Sequence, residues 1–320
     1  MGLGGAAKCV YVSDGKSVVN LFRPLVITLL IPLTLVVTTV DGKAAQTEDA
    51  QTKKARATDS KPQRIISLAP HTTELAYAAG LGSKLIAASD YSDYPPQALA
   101  LERVANYRGI KLERILALKP DLVLAWQGGN PPREMAKLEQ LGIRIFYSHP
   151  ATLDAIADSL ETLGTFADDP TTANQAASDF RQTMAQLNQQ YGHKKPVRYF
   201  YQLGISPLMS MSGDNWPSQV FALCGGENIF ADSPVAYPQV SKEQVIIRRP
   251  EAIFTTHGSA GPDANAFNLW LPWREQLSAV RDQHLYQTQA DWLNRPTPRA
   301  LLAAQEICKQ LDEVRESHPQ

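Results

Sequence analysis

The chain's 320 residues are 44% apolar and 20% charged, a soluble globular composition with length for two domains. Its 31 basic and 32 acidic side chains leave a net charge of -1, so it offers no basic field and no nucleic-acid partner is expected.

The N-terminal segment reads as an export signal. Pro24 to Val40 is uncharged and rich in Leu, Val, Ile and Thr, with Arg23 before it and Asp41-Gly42-Lys43-Ala44-Ala45 after it. A charged n-region, an apolar stretch and a small-residue cleavage zone make a secretory signal peptide, so residues 1–44 are expected to be removed. A membrane anchor is the alternative, although this run sits at the short end of the roughly 17–25 residues that span a bilayer. Residues 1–20 form an unusually long, polar leader and are read as lying upstream of a true start around Val18 to Leu21. Cys9 precedes the apolar run, which excludes a lipoprotein cysteine placed just after it. Residues 45–63 are polar and are expected to form a flexible leader.

Residues 64–169 alternate strands with short helices, which predicts a mostly parallel sheet covered on both faces. Arg64 to Ala69 is an apolar strand. Pro70-His71-Thr72-Thr73-Glu74 opens a helix that Gly80 ends, with Thr72 or Thr73 as its cap. Lys84 to Ser89 is a second strand, and Tyr91 to Pro96 is a loop with two aromatics. Leu112 to Leu118 reads as an amphipathic helix, Lys119-Pro120 as its stop, and Leu122 to Trp126 as a buried strand ending before Gly128 and Gly129. A helix from Pro131 to Leu141 and a strand from Arg144 to Ser148 follow.

Residues 170–192 carry apolar side chains at three- and four-residue spacing from Ala173 to Tyr191. This predicts a helix of roughly 30 Å, capped by Thr171 or Thr172 and read as a rod joining two lobes. An ordinary packed helix of the first lobe is the alternative. The second lobe, residues 193–320, is predicted to hold strands at Val197–Leu203 and Ala252–Thr256 and helices near Gln219–Leu223 and Pro298–Val314. Lys242 to Thr255 repeats the grammar of the Leu112 block. In both, a Glu stands in the first helical turn, with Pro and an acid seven and eight residues later. We read this as one building block used once per lobe; coincidence is the alternative, since helix-Pro-strand is ordinary α/β grammar. The expected fold class is α/β, with two Rossmann-like lobes of mostly parallel sheets joined by one long rigid helix.

Several of these segments resemble a known family. Ala69-Pro70-x-x-Thr73-Glu74-Leu75, Ser92-Asp93-Tyr94-Pro95-Pro96, Leu118-Lys119-Pro120-Asp121-Leu122-Val123, Cys224 to Phe230 and Pro238-Gln239-Val240-Ser241 are similar to motifs of the periplasmic vitamin B12 (cobalamin)-binding proteins of Gram-negative bacteria. These are a branch of the helical-backbone binding proteins for siderophores, haem and cobalamin. The resemblance runs from about Arg64 to Cys308. It implies two α/β lobes joined by one helix, a periplasmic location, cobalamin as transported ligand rather than cofactor, and delivery to an inner-membrane ABC importer. A monomer is expected.

Ligands of open α/β sheets bind beyond the carboxyl ends of the strands. By resemblance, Tyr91, Tyr107, Trp126, Met209, Tyr237 and the segment Asp291, Trp292, Leu293, Asn294 and Arg295 match ligand-contacting positions, and Gly128 and Gly129 permit close backbone approach. Tyr107 and Tyr237 stand where a Trp is usual, Met209 replaces a Phe, and Leu293 and Asn294 replace an aromatic and an acid. Core packing is the plain alternative for any one of them. Glu113 and Glu243 hold the same place in the two repeats and are expected to dock the carrier on its permease; the resemblance agrees. A helix-dipole role is the alternative for each. Cys224 and Cys308 remain as an even pair after export and are expected to form a disulfide.

The six histidines are scattered without metal-ligand spacing; His71, in a loop placed at the cleft, is expected to cap a helix or lie in solvent, with approach to a cobalt atom as the alternative. No nucleophile elbow, phosphate loop or base-paired cysteine is present in the sequence, so neither a catalytic set nor a metal site is expected. The competing readings are a siderophore or haem carrier, for which Arg108 and Arg295 are the candidate anion ligands, and an exported enzyme or metal-cluster protein on a related fold.

Overall fold

The computed structural model describes residues 60–258 and 260–317. The expected signal peptide, the question of the start site and most of the leader fall outside the described residues. The first sheet contains β1 (Ile65–Ser67), β2 (Leu85–Ser89), β3 (Glu102–Asn106), β4 (Gly109–Ile110), β5 (Leu122–Trp126) and β6 (Arg144–Ser148), in the order β4-β3-β2-β1-β5-β6. All neighbours are parallel except the short edge strand β4. The second sheet contains β7 (Val197–Tyr201), β10 (Gly226–Asn228), β11 (Ala252–His257) and β12 (Leu285–Gln289), in the all-parallel order β10-β7-β11-β12. A small hairpin, β8 (Gly204–Ile205) with β9 (Leu208–Met209), stands beyond β7.

The helices of the first lobe are α1 (Pro70–Ala78), α2 (Leu112–Ala117), α3 (Pro132–Gln140) and α4 (Asp154–Gly164). α5 (Thr171–Tyr191) connects the sheets, and α6 (Trp216–Leu223), α7 (Lys242–Arg248), α8 (Ser278–Arg281), α9 (Ala290–Leu293) and α10 (Ala300–Ser317) follow. Strand side chains alternate between two cores, as helices on both faces require. Ile65, Leu122 and Leu124 join a cluster shared with Tyr199, Phe254 and Ile307 of the second lobe. Ile66, Val123 and Ala125 face a separate first-lobe cluster, and Phe200 and Ile253 face a separate second-lobe one.

The shared cluster runs through α5, whose Ala173, Ala177, Phe180, Leu187 and Tyr191 are buried. The helix packs against α4 and α1 on one side and α10 and α6 on the other. It is therefore both connector and core. Thr171 and Thr172 do not cap it; Asp169 Oδ1 does, accepting the Thr171 N–H at 2.9 Å. In α1, the N-cap is Ala69 with Pro70 in the first turn, and the Thr72 hydroxyl donates to the Ala69 carbonyl from inside the helix. Helix α4, strand β3, one in from the sheet edge, and the edge strand β12 were not expected from the sequence.

The repeated block is a structural repeat. Residues 111–120 and 241–250 have the same burial class at every position. Lys119 and Arg249 both adopt left-handed φ, 48° and 46°. The acid after each proline then clamps the start of the neighbouring central strand. Asp121 accepts the N–H groups of Gln63 and Arg64 at 2.8 and 2.9 Å, and Glu251 accepts that of Arg198 at 2.9 Å. A carboxylate accepting backbone N–H groups is a charge-assisted bond, so each block locks the register of its sheet.

Cys224, just past α6, is bonded to Cys308 in α10, with Cα atoms 4.8 Å apart and a sequence separation of 84. Closing a loop of that length contributes on the order of 4 kcal/mol in the chain-entropy model. A thiol assay on denatured, unreduced protein is expected to find neither sulfur reactive. The Cys224→Ser, Cys308→Ser double variant is expected to melt well below the parent; two reactive thiols in the parent would refute the bond.

Candidate functional site

Because the strands are parallel, the carboxyl ends of β1, β2, β3, β5 and β6 share one edge, and so do those of β7, β10, β11 and β12. Most of the residues singled out in the sequence sit on these edges. Trp126 ends β5, paired in register with Ser148 at the end of β6. It remains 48% exposed. Its backbone N–H is accepted by Asn130 Oδ1 at 2.6 Å, while Asn130 Nδ2 donates to the Leu68 carbonyl beyond β1. The turn between them needs its glycines. Gly128 has φ +82°, and a Cβ on Gly129 would fall 2.0 Å from the Trp126 ring.

Tyr91 is largely exposed with φ 62°, a left-handed conformation that costs a bulky residue roughly 1–2 kcal/mol. A buried hydroxyl web holds the loop there. Thr73 Oγ1 lies 2.9 Å from Ser92 Oγ and donates to Ser67 Oγ at 2.8 Å, while Ser89 Oγ lies 3.1 Å from Ser92 Oγ. Arg103 donates to the Ser89 and Ser92 carbonyls. Tyr107, past the end of β3, is 83% exposed, and its hydroxyl accepts from Arg108 Nε at 2.9 Å.

On the second lobe, the hairpin places Met209 opposite Gln239, and Ser210 N–H donates to the Pro238 carbonyl. This brings Tyr237 beside β9. The Tyr201 hydroxyl, at the end of β7, donates to Asn294 Oδ1 at 3.1 Å. Burial pushes Tyr201 up to about 12, and the nearby Tyr237 adds to the shift. Ile205 and Val235, both exposed on the same segments, went unread in the sequence. Their only sequence signal was an apolar residue in a Gly, Ser or Pro loop.

The segment 291–295 divides between three surroundings. Asn294 stays at the strand edge. Leu293 is corrected to a core residue, fully buried in the shared cluster. Trp292 packs on the shared cluster and lines a cavity with Leu302, Glu306, Gln310 and Glu313 of α10. The helical turn of α9 causes this, since successive side chains diverge by about 100°.

Arg295 and Asp291 belong to an ion cluster across the lobe seam. Arg295 pairs with Glu74 at 2.9 Å, Asp93 at 2.7 Å and Asp291 at 2.9 Å. Arg299 pairs with the same Glu74 at 2.5 Å and lies over the Tyr94 ring. The Glu74 side chain is only 2% exposed. Burial pushes the Asp93 carboxyl up, but the Arg295 hydrogen bond and charge more than offset this and hold it below its usual range. Farther along α1, Tyr77 and Ala78 line a cavity of about 630 Å³ with Tyr94, Pro95, Pro298 and Leu302.

His71 is neither cap nor solvated residue. It is buried, its Nε2 lies 3.1 Å from Ser148 Oγ, and its ring meets the Trp126 indole edge-on with centroids 5.6 Å apart. Burial, then the Arg295 charge, lowers its pKa from 6.5 to about 3.

Two parallel-sheet lobes around one connecting helix, with aromatic side chains along the carboxyl edges of their sheets, define a two-lobed ligand-capturing protein. The chain belongs to the periplasmic binding protein family, whose pattern matches residues 65–291. It is 55% identical over 249 residues to the vitamin B12-binding protein of Vibrio cholerae serotype O1, covering 78% of this chain and 89% of that protein. The Vibrio parahaemolyticus vitamin B12-binding protein is 51% identical over 253 residues, covering 79% and 90%. The crystal structure of the periplasmic vitamin B12 binding protein BtuF of Vibrio cholerae superposes with a TM-score of 0.73 at 53% identity, over 79% of this chain and 98% of that one. The periplasmic haem-binding protein HutB of the same organism shares the fold, with a TM-score of 0.68 at 21% identity, over 78% and 98%.

A neutral, buried histidine sets an acid limit. The unfolded chain takes up a proton at this side chain below about pH 6.5, whereas the folded chain resists until about pH 3. Stability is thus fully present above pH 6.5 and is lost as pH falls from there toward 3. Denaturant unfolding of His71→Gln is expected to show a shallower decline over that window than the parent; parallel curves would assign the acid limit elsewhere.

Proposed function

We propose that the protein is an exported carrier that captures cobalamin between its lobes and hands it to an ABC importer of the inner membrane. The observation that carries this is the aromatic edge built around Trp126, which suits the flat, partly apolar, amide-fringed corrin ring. The two vitamin B12-binding relatives, each at least 51% identical, support the same ligand class. An anionic siderophore fits less well. Arg295 is committed to three carboxylates and Arg108 to the Tyr107 hydroxyl. Membership of a binding-protein family supports a carrier rather than an enzyme.

Tyr91, Tyr107, Trp126, Met209, Tyr237 and Asn294, with Gly128 and Gly129 beneath, are the proposed contact set. Calorimetric titration of the mature protein is expected to show cyanocobalamin binding and no binding of a ferric siderophore. Trp126→Ala is expected to lose about 2 kcal/mol or more of affinity, as buried aromatic anchors do. Siderophore binding with cobalamin ignored would reverse the assignment.

Glu113 and Glu243 are the proposed permease contacts. Both are exposed in the first turn of repeated helices, α2 and α7. Its own backbone N–H, then the Ser241 hydroxyl, hold Glu243 below the usual carboxylate range. Two like-placed carboxylates match a permease built from two equivalent subunits offering basic pockets. Reversing both charges, Glu113→Arg with Glu243→Arg, is expected to abolish pull-down by the permease while cobalamin affinity stays within about twofold, a small change on the scale of 1.4 kcal/mol per decade. Undiminished capture of the folded double variant would end this docking scheme.

A further inference from the structure

Trp126 is held from more than one direction. Gly129 leaves room for the indole where any Cβ would collide with it. His71 sets its ring at 86° to the indole. Asn130 fixes the backbone that carries it. An aromatic side chain at the end of a strand, half exposed, otherwise samples several rotamers, and ordering it on binding weakens affinity.

The support at His71 is itself fixed. Pro70 starts α1 and His71 follows in the first turn, at the carboxyl edge of the sheet. Ser148 stands opposite Trp126 in the β5–β6 register, so both side chains leave the same face of the sheet. That geometry delivers the Ser148 hydroxyl to the imidazole nitrogen at 3.1 Å. The imidazole thus gives the indole a flat, neutral neighbour while its own polar atom has a partner in the protein. An aliphatic side chain here would lose the aromatic contact. A charged one would be buried close to the ion cluster.

We infer that His71, held by Ser148, is a positioning residue that locks the Trp126 indole in the orientation presented to the ligand. This rests on the reading of the cleft as a cobalamin site. His71 acts through Trp126 and is not itself a ligand contact, being almost wholly buried.

The test combines affinity with a direct view of the indole. The protein is labelled with 5-fluorotryptophan, and the Trp126 resonance is identified as the one missing from Trp126→Ala. Cyanocobalamin affinity is measured by calorimetry for the parent, His71→Gln, His71→Phe, Ser148→Ala, Trp126→Ala and the His71→Gln, Trp126→Ala pair. His71→Gln is expected to weaken binding roughly three- to tenfold, the size of an ordering cost restored to one side chain. It is also expected to broaden or shift the Trp126 resonance of the free protein. His71→Phe keeps a ring beside the indole and is expected to recover most of the affinity. In the Trp126→Ala background, His71→Gln is expected to have no further effect, since the two act as a unit.

The inference is overturned if His71→Gln binds as the parent with an unchanged resonance, or if its loss is undiminished without Trp126. Should His71→Gln not fold, Ser148→Ala, which releases the imidazole without altering α1, is held to the same expectations. If Trp126→Ala itself binds cyanocobalamin like the parent, the reading of the cleft fails first, an outcome distinct from the others.

Discussion

A single buried carboxylate ties the two lobes at their seam. Glu74, on the first helix of the first lobe, receives two guanidinium groups from the second, Arg295 and Arg299. A carboxylate this buried is tolerated only when paired and hydrogen-bonded, because desolvation alone costs several kcal/mol per ion. The pairing is geometrically demanding, so it constrains how α1 meets the start of α10. Asp93 and Asp291 extend the cluster to the loop after β2 and to α9. Both cleft edges are thereby referenced to one point. The apolar cluster shared through α5 supplies bulk cohesion but little angular specificity, since hydrophobic contact is non-directional.

The cleft is built from rigid edges rather than long loops. On the first lobe the proposed contact residues follow directly from strand ends, and short-range polar bonds fix them. A hydroxyl web pins the Tyr91 turn, and Asn130 pins Trp126. On the second lobe a two-residue hairpin carries Met209, and bonds from Ser210 and Ser212 hold the Tyr237 segment beside it. Preorganisation of this kind lowers the ordering cost of binding. The repeated blocks on α2 and α7 serve the sheets from the other end. Asp121 and Glu251 each bond the first residues of a central strand, so register errors that would displace the carboxyl edge are penalised at the amino edge.

Much of this was legible along the chain. Helix-Pro-strand grammar, apolar runs and their spacing are local signals, and they placed α1, α2, α5, β5 and β11 within a few residues. The repeat was visible because the positions of Glu, Pro and the following acid are set by backbone geometry within one block. Elements with weaker local signals were missed. β3 carries Glu102, Arg103 and Asn106 because it lies near a sheet edge, where alternate side chains meet solvent. Leu293 and Trp292 were read together with Arg295 as one segment, and only the turn of α9 showed them facing different surroundings.

By itself, then, the sequence determined the α/β class, the strand ends that would bear aromatic side chains, the cysteine pair and the duplicated block, because each depends on residues close in the chain or on simple parity. The tertiary structure decided what each polar group does. His71, expected as a cap or a solvated residue, is the buried neighbour of Trp126, and Arg295 has among its partners Glu74, 221 residues away. The physical reason is that burial and electrostatic pairing depend on distances in space between segments far apart in the chain, and no local pattern encodes which buried charge a guanidinium will meet.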